Sequence, residues 1–148
     1  MIQFEIEGST VLDLFAGSGA FGAECISRGA KKVYFVDQVQ KAIDTIKLNT
    51  KNMNEDFEIT KSNYLDFLSG AKTRGLEFDI VYLDPPYETD FAIVAINKMV
   101  ELSLLKEGSI IIVEHKYPND LKNLPECCIV KKSKKYGIAY VDIISYTK

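Results

Sequence analysis

The segment Thr10-Val11-Leu12-Asp13-Leu14-Phe15-Ala16-Gly17-Ser18-Gly19-Ala20-Phe21-Gly22 begins as a short apolar run and closes on three glycines, ahead of residues with helical periodicity. Gly17, Gly19 and Gly22 stand at G-x-G-x-x-G spacing between strand and helix. Glycines there allow a tight turn and a close backbone approach. The helix N-terminus behind them offers free N–H groups and a partial positive charge to an anionic group. Asp37 follows Gly17 by twenty residues, at the end of a second apolar run, where a carboxylate can accept both hydroxyls of an adenosine ribose.

Further along, apolar runs at 10–15, 32–36, 57–60, 78–83, 109–114, 127–132 and 139–146 read as strands. Between them, 20–28, 39–51, 64–74 and 90–102 carry apolar residues at three- and four-residue steps, the period of helices. In the second of these, Val39, Ala42, Ile43, Ile46 and Thr50 are expected to face the sheet. Gly29 and Gly75 directly follow helices and Gly108 comes a few residues after one, as C-terminal stops. The alternation predicts an α/β fold with one seven-stranded, mostly parallel sheet covered by helices on both faces. Too few residues separate the last two strands for a crossover, so they are expected to form an antiparallel hairpin around 134–137.

The glycine loop alone suits a nicotinamide dehydrogenase as well as a methyltransferase. Asp13, four positions before the first glycine, separates the two. A pyrophosphate beside an ionised carboxylate is repelled by roughly a kcal/mol or more. The methionine end of S-adenosylmethionine carries an ammonium as well as a carboxylate, and so matches an acid beside a ring of N–H donors. Asn63, after the third strand, is a candidate for the adenine edge, since its amide both donates and accepts; as a bare turn residue it would be equally at home.

The fourth strand ends in Asp84-Pro85-Pro86-Tyr87. Prolines fix φ and carry no N–H, so this exit presents acceptors only. Asp84 and the Pro85 carbonyl can accept the two hydrogens of an exocyclic amine and favour the geometry in which its lone pair is available. Tyr87 can stack on a base taken out of its helix, worth about 1–3 kcal/mol. Holding the amine in line is worth roughly 7–11 kcal/mol, so neither a metal nor a covalent intermediate is required. The candidate site is therefore Asp84, Pro85 and Tyr87 for catalysis, with Asp13, Gly17, Gly19, Asp37 and Asn63 for the donor.

At 148 residues, 47% of them hydrophobic, the chain is read as a single domain over 1–148. No apolar run is long enough for a membrane span and the N-terminus lacks a signal-peptide pattern, so a cytoplasmic protein is expected. Cys25, Cys127 and Cys128 have no metal-binding spacing and are expected to be reduced, mostly buried thiols. The net charge of −3 is unfavourable for holding a polyanion. Lys131, Lys132, Lys134 and Lys135 form a local basic run that either meets phosphates or merely solvates a hairpin. His115 is either a general base or, the commoner outcome, a polar residue at a strand end. Tyr136-Gly137 either borders the base pocket or makes the turn.

Asp13-Leu14-Phe15-Ala16-Gly17-Ser18-Gly19 together with Asp84-Pro85-Pro86-Tyr87 resembles the RsmD-type guanine-N2 methyltransferases of bacterial small-subunit ribosomal RNA. The likeness extends to Ser27-Arg28-Gly29-Ala30, to 62–68 and to Val113-Glu114. It implies a Rossmann-like class I methyltransferase fold, S-adenosylmethionine as donor and guanine N2 in ribosomal RNA, or in the small ribosomal subunit, as acceptor. Family roles fall on Gly17 and Gly19 for the donor, Asp37 for its ribose, Asn63 for its adenine, and Asp84 and Tyr87 for the target base. The family normally begins with a basic arm and a helix, whereas only Met1 to Gly8 precede the first strand here; the resemblance therefore implies a shortened chain, or one that depends on another subunit to hold RNA. The alternatives left open are an N-methyltransferase acting on DNA, protein or a small molecule, and a nucleotide-binding module without catalysis.

Overall fold

The computed structural model describes residues 5–86, 88–116 and 121–148. Among the described residues, seven strands, β1 (Thr10–Leu14), β2 (Lys32–Asp37), β3 (Phe57–Lys61), β4 (Phe78–Leu83), β5 (Leu105–His115), β6 (Cys128–Tyr136) and β7 (Ala139–Tyr146), form one sheet in the order β3-β2-β1-β4-β5-β7-β6. The first five are parallel. β7 inserts antiparallel between β5 and β6, and β6 forms the edge. The helices α1 (Ala20–Ser27), α2 (Gln40–Thr50), α3 (Tyr64–Thr73) and α4 (Phe91–Glu101) fill the crossovers.

The strands alternate their side chains between two cores, as the period of two demands. Val11, Val33, Phe35 and Ile80 join Cys25 and Ile26 of α1 and Ile46 of α2 on one face. Leu12, Leu14, Tyr34, Val36, Val81 and Leu83 join Phe67 and Leu68 of α3 and Ile96 and Met99 of α4 on the other. Burying a side chain of this size contributes about 1.5–3 kcal/mol, which is why strands covered on both faces read as nearly continuous apolar runs.

From β1 the chain winds outward to β2 and β3, then returns to β4 beside β1. Leu14 and Leu83, the last residues of these two strands, are register partners. The loops after them leave the sheet side by side, at the topological switch point where α/β sheets bind ligands.

Three expectations are corrected. Val39 caps α2 rather than facing the sheet and is 53% exposed, because its N–H is drawn to the Asp37 carboxylate. Gly108 (φ 81) lies inside β5, which starts at Leu105, and does not stop a helix. A register shift between Phe78 and Ile80 opposite Leu105 and Ile110 accommodates the added residues. Lys134 and Lys135 belong to β6, so Gly137 and Ile138 alone make the hairpin turn, with Gly137 at φ 60.

Candidate active site

The glycine loop is held open by backbone geometry. Gly17 and Gly19 have φ of 59 and 77, and Gly19 caps α1 in the left-handed conformation that costs a larger residue energy. Gly22 serves packing: a Cβ there would lie 2.3 Å from Phe35 Cε1, so its absence lets α1 close on β2.

Asp37 fastens the loop to the next one. Its Oδ2 accepts from Gly17 N–H at 2.9 Å and its Oδ1 from Val39 N–H at 3.0 Å. Both bonds are exposed, and each oxygen keeps lone-pair capacity toward the cleft. Asn63 caps α3: its Oδ1 accepts from Asp66 N–H at 2.9 Å and its Nδ2 donates to Asp66 Oδ2 at 2.7 Å. The cap uses one amide hydrogen and leaves one, so the residue has half of its donor capacity for a ligand.

Asp13 is placed differently from the other donor candidates. It is 1% exposed, lies beneath the glycine loop and does not line the cleft. Its Oδ2 accepts from Gly22 N–H at 3.1 Å, while Oδ1 is buried with no hydrogen-bond partner among the described residues. Burial pushes its carboxyl from an ordinary 3.8 to about 8, against the Gly22 N–H and with help from the charges of Asp84 and Asp37. At about 8 the carboxyl holds its proton at neutral pH in the ligand-free protein, so Asp13 is not the ionised carboxylate expected from the sequence; burial beneath the loop makes it a neutral acid that accepts from Gly22 N–H.

A cleft of about 870 Å³ runs over the loop, lined by Gly17, Asp37, Asn63 and Asp66 among others. Its aromatic wall was not among the residues expected from the sequence. Phe15, Tyr64 and Phe91 line it with ring centroids 4.9–6.1 Å apart. Phe15 has φ 64, costly for a bulky residue and the kind of strain that collects at ligand sites. The signal available was three aromatics, each at an element boundary. The cleft fits an adenosine joined to a zwitterionic tail: carboxylate for ribose, aromatic wall for a ring, loop amides for the carboxylate of the tail.

Asp84 and Pro86 line this cleft and also a second one, of about 770 Å³, that contains Pro85, Glu114 and His115. Neither the Asp84 carboxylate nor the Pro85 carbonyl accepts a hydrogen bond among the described residues, whereas Pro86 O takes one from Thr89 Oγ1 at 2.8 Å. Enclosure by the cleft walls, and next the charge of Glu114, raise the Asp84 carboxyl from 3.8 to about 6. Tyr82 donates its hydroxyl to Glu114 Oε2 and stacks on Phe21 at 4.2 Å and 7°. Tyr87 lies outside the described residues. His115 is tied to Asp142, Nε2 to Oδ2, at 2.8 Å. Among the described residues no cluster of acids, cysteines and histidine is suited to a metal ion.

The chain matches the family described as Conserved hypothetical protein 95 over residues 1–145. It is 36% identical over 136 residues to ribosomal RNA small subunit methyltransferase D of Haemophilus influenzae, covering 90% of this chain and 69% of that one. With the provisionally named rRNA methyltransferase YlbH of Bacillus subtilis it shares 32% identity over 145 residues, 97% of this chain and 79% of that one. A crystal structure from Haemophilus influenzae, described provisionally as methylase HI0767, superposes with a TM-score of 0.83 at 33% identity, covering 97% of this chain and 89% of that one.

Proposed function

The chain belongs to the Conserved hypothetical protein 95 family, that of the RsmD-type enzymes, and on that premise we propose that it methylates ribosomal RNA with S-adenosylmethionine, at the exocyclic N2 amine of a guanine in the small subunit. The observation that carries this reading is the position of Asp84 and Pro86 as a wall common to two clefts. One cleft has the features of a donor site and the other faces it across two open acceptors.

In the first cleft, Asp37 holds the ribose hydroxyls and the aromatic wall and Asn63 receive the adenine. The amides of the Gly17–Gly19 turn take the carboxylate of the methionine tail, and Asp13, protonated beneath them, supports the turn through Gly22 N–H. S-adenosylmethionine bound there supplies an electrophilic methyl group. In the second cleft, Asp84 and the Pro85 carbonyl accept the two hydrogens of the target amine and aim its lone pair toward the first. An acid with a pKa of about 6 is ionised at neutral pH and is a stronger base than an ordinary carboxylate, so it can receive the proton that the amine gives up. Orientation supplies the larger share of the rate, roughly 7–11 kcal/mol for a well-aligned pair.

The test is to incubate the protein with methyl-labelled S-adenosylmethionine and small ribosomal subunits that lack the modification, digest the RNA to nucleosides and identify the labelled product. N2-methylguanosine is expected. A methylated adenine or cytosine moves the acceptor, and label in ribosomal protein contradicts the RNA reading.

A further inference from the structure

The second cleft does not end at His115. His115 and Leu121 also line a neighbouring cavity of about 500 Å³, whose far side is formed by Ser133, Lys134, Lys135 and Tyr140. The pairing register explains the continuity. His115 on β5 is the partner of Tyr140 on β7, and Tyr140 is the partner of Lys135 on β6. The three side chains make one row across the sheet toward its edge: the His115 and Tyr140 rings lie 6.0 Å apart at 23°, and Lys135 Nζ stands 5.7 Å over the Tyr140 ring.

We propose that this row is the platform on which the RNA strand flanking the target base lies, with a neighbouring base over Tyr140 and its phosphates at Lys134 and Lys135. The proposal rests on the reading of the acceptor as RNA.

Charge distribution gives the row its direction. Asp84, Glu88, Asp90 and Glu114 line the second cleft against Lys116 and Lys122, so acids outnumber lysines there and the cleft favours an amine over a phosphate. A strand that places a base there must carry its backbone away from these acids. The groove past His115 leads to Lys134 and Lys135, both exposed, and neither forms an ion pair among the described residues. The carboxylate lining this groove, Asp142, is 8% exposed and engaged by His115 Nε2 at 2.8 Å. Aromatic faces alternating with cations along a groove are the general means of holding single-stranded nucleic acid. Lysines on an edge strand can alternatively serve only to discourage pairing with another sheet. That role predicts no effect on RNA affinity.

The experiment measures fluorescence anisotropy of a labelled single-stranded RNA oligonucleotide at several salt concentrations. It compares wild type, the double variant K134A/K135A and, separately, Tyr140→Leu, with S-adenosylmethionine affinity followed calorimetrically. The double variant should bind RNA several-fold more weakly, with the slope of log K against log salt reduced by about 0.7 per lysine. Tyr140→Leu should lose on the order of tenfold in affinity with the slope unchanged. Donor affinity should match wild type in both. RNA affinities and slopes equal to wild type overturn the platform, as does a wild type that binds no RNA. If wild type transfers methyl groups to small subunits while the variants bind RNA normally, the platform fails and the activity stands. The expected losses in a protein that transfers none sink the activity alone.

Discussion

Tyr82 donates its hydroxyl hydrogen to Glu114 across the β4–β5 boundary, and so fixes a second carboxylate beside Asp84. After enclosure by the cleft walls, the charge of Glu114 is the remaining cause of the raised Asp84 carboxyl. Protonated Asp84 cannot accept both an amine hydrogen and a proton, so kcat/KM should fall as pH drops through about 6. Removing the Glu114 charge lowers the Asp84 pKa. In Glu114→Gln the acid limb should therefore move to lower pH, and coincident limbs in the two proteins would contradict the coupling.

Asp37 joins the glycine loop to the start of α2 through two backbone N–H groups. Hydrogen bonds to a charged group contribute about 1.5–3 kcal/mol each. Asp37→Ala should raise the Kd for S-adenosylmethionine at least about tenfold by calorimetry, since it frees the loop and removes the carboxylate proposed to hold the ribose. An unchanged Kd removes Asp37 from the donor site.

Gly22 and Gly17 should respond to alanine for different reasons. At Gly22 the new Cβ meets Phe35 and Val33 in the core, overpacking that costs about 1–3 kcal/mol. At Gly17 it meets nothing within 4 Å and pays only for φ 59. Urea denaturation should show a lower midpoint for Gly22→Ala. Equal stability in Gly22→Ala and wild type would contradict the close approach of α1 to β2.

Asp13 makes stability depend on pH. Its folded pKa, raised to about 8, exceeds the ordinary 3.8, so its contribution is fully present below 3.8 and is lost as pH rises through 8. Asp13→Asn keeps an acceptor for Gly22 N–H and cannot ionise. Thermal unfolding of the ligand-free proteins should show the variant gaining on wild type between pH 5 and 9. Parallel curves would mean that Asp13 is not protonated in the folded protein.

Much of this was readable before any coordinates. The strand at 78–83 fell where the apolar pattern placed it, because a buried parallel strand leaves a continuous apolar run, and the last strand starts at Ala139 as expected, directly after the hairpin turn. The glycines of the loop and the Asp84 exit were legible because backbone conformation there admits few residue types. What sequence could not convey was which atoms were already engaged. Asn63 spends half its amide on a helix cap and Asp13 is shut behind the loop, facts of spacing in three dimensions. The partnership of Phe15, Tyr64 and Phe91 comes from three elements, and no local pattern announces it.

The most direct trial of the account is Asp84→Ala, with S-adenosylmethionine affinity by calorimetry and single-turnover methyl transfer to small ribosomal subunits measured on the same preparation. Removing a group that acts at the transition state should cost a hundredfold or more in rate, by analogy with loss of one such hydrogen-bonding partner, roughly 2.7–4 kcal/mol. That loss is expected with donor affinity retained. Transfer at the wild-type rate would contradict it, since Asp84 would then not be the group that accepts the target amine.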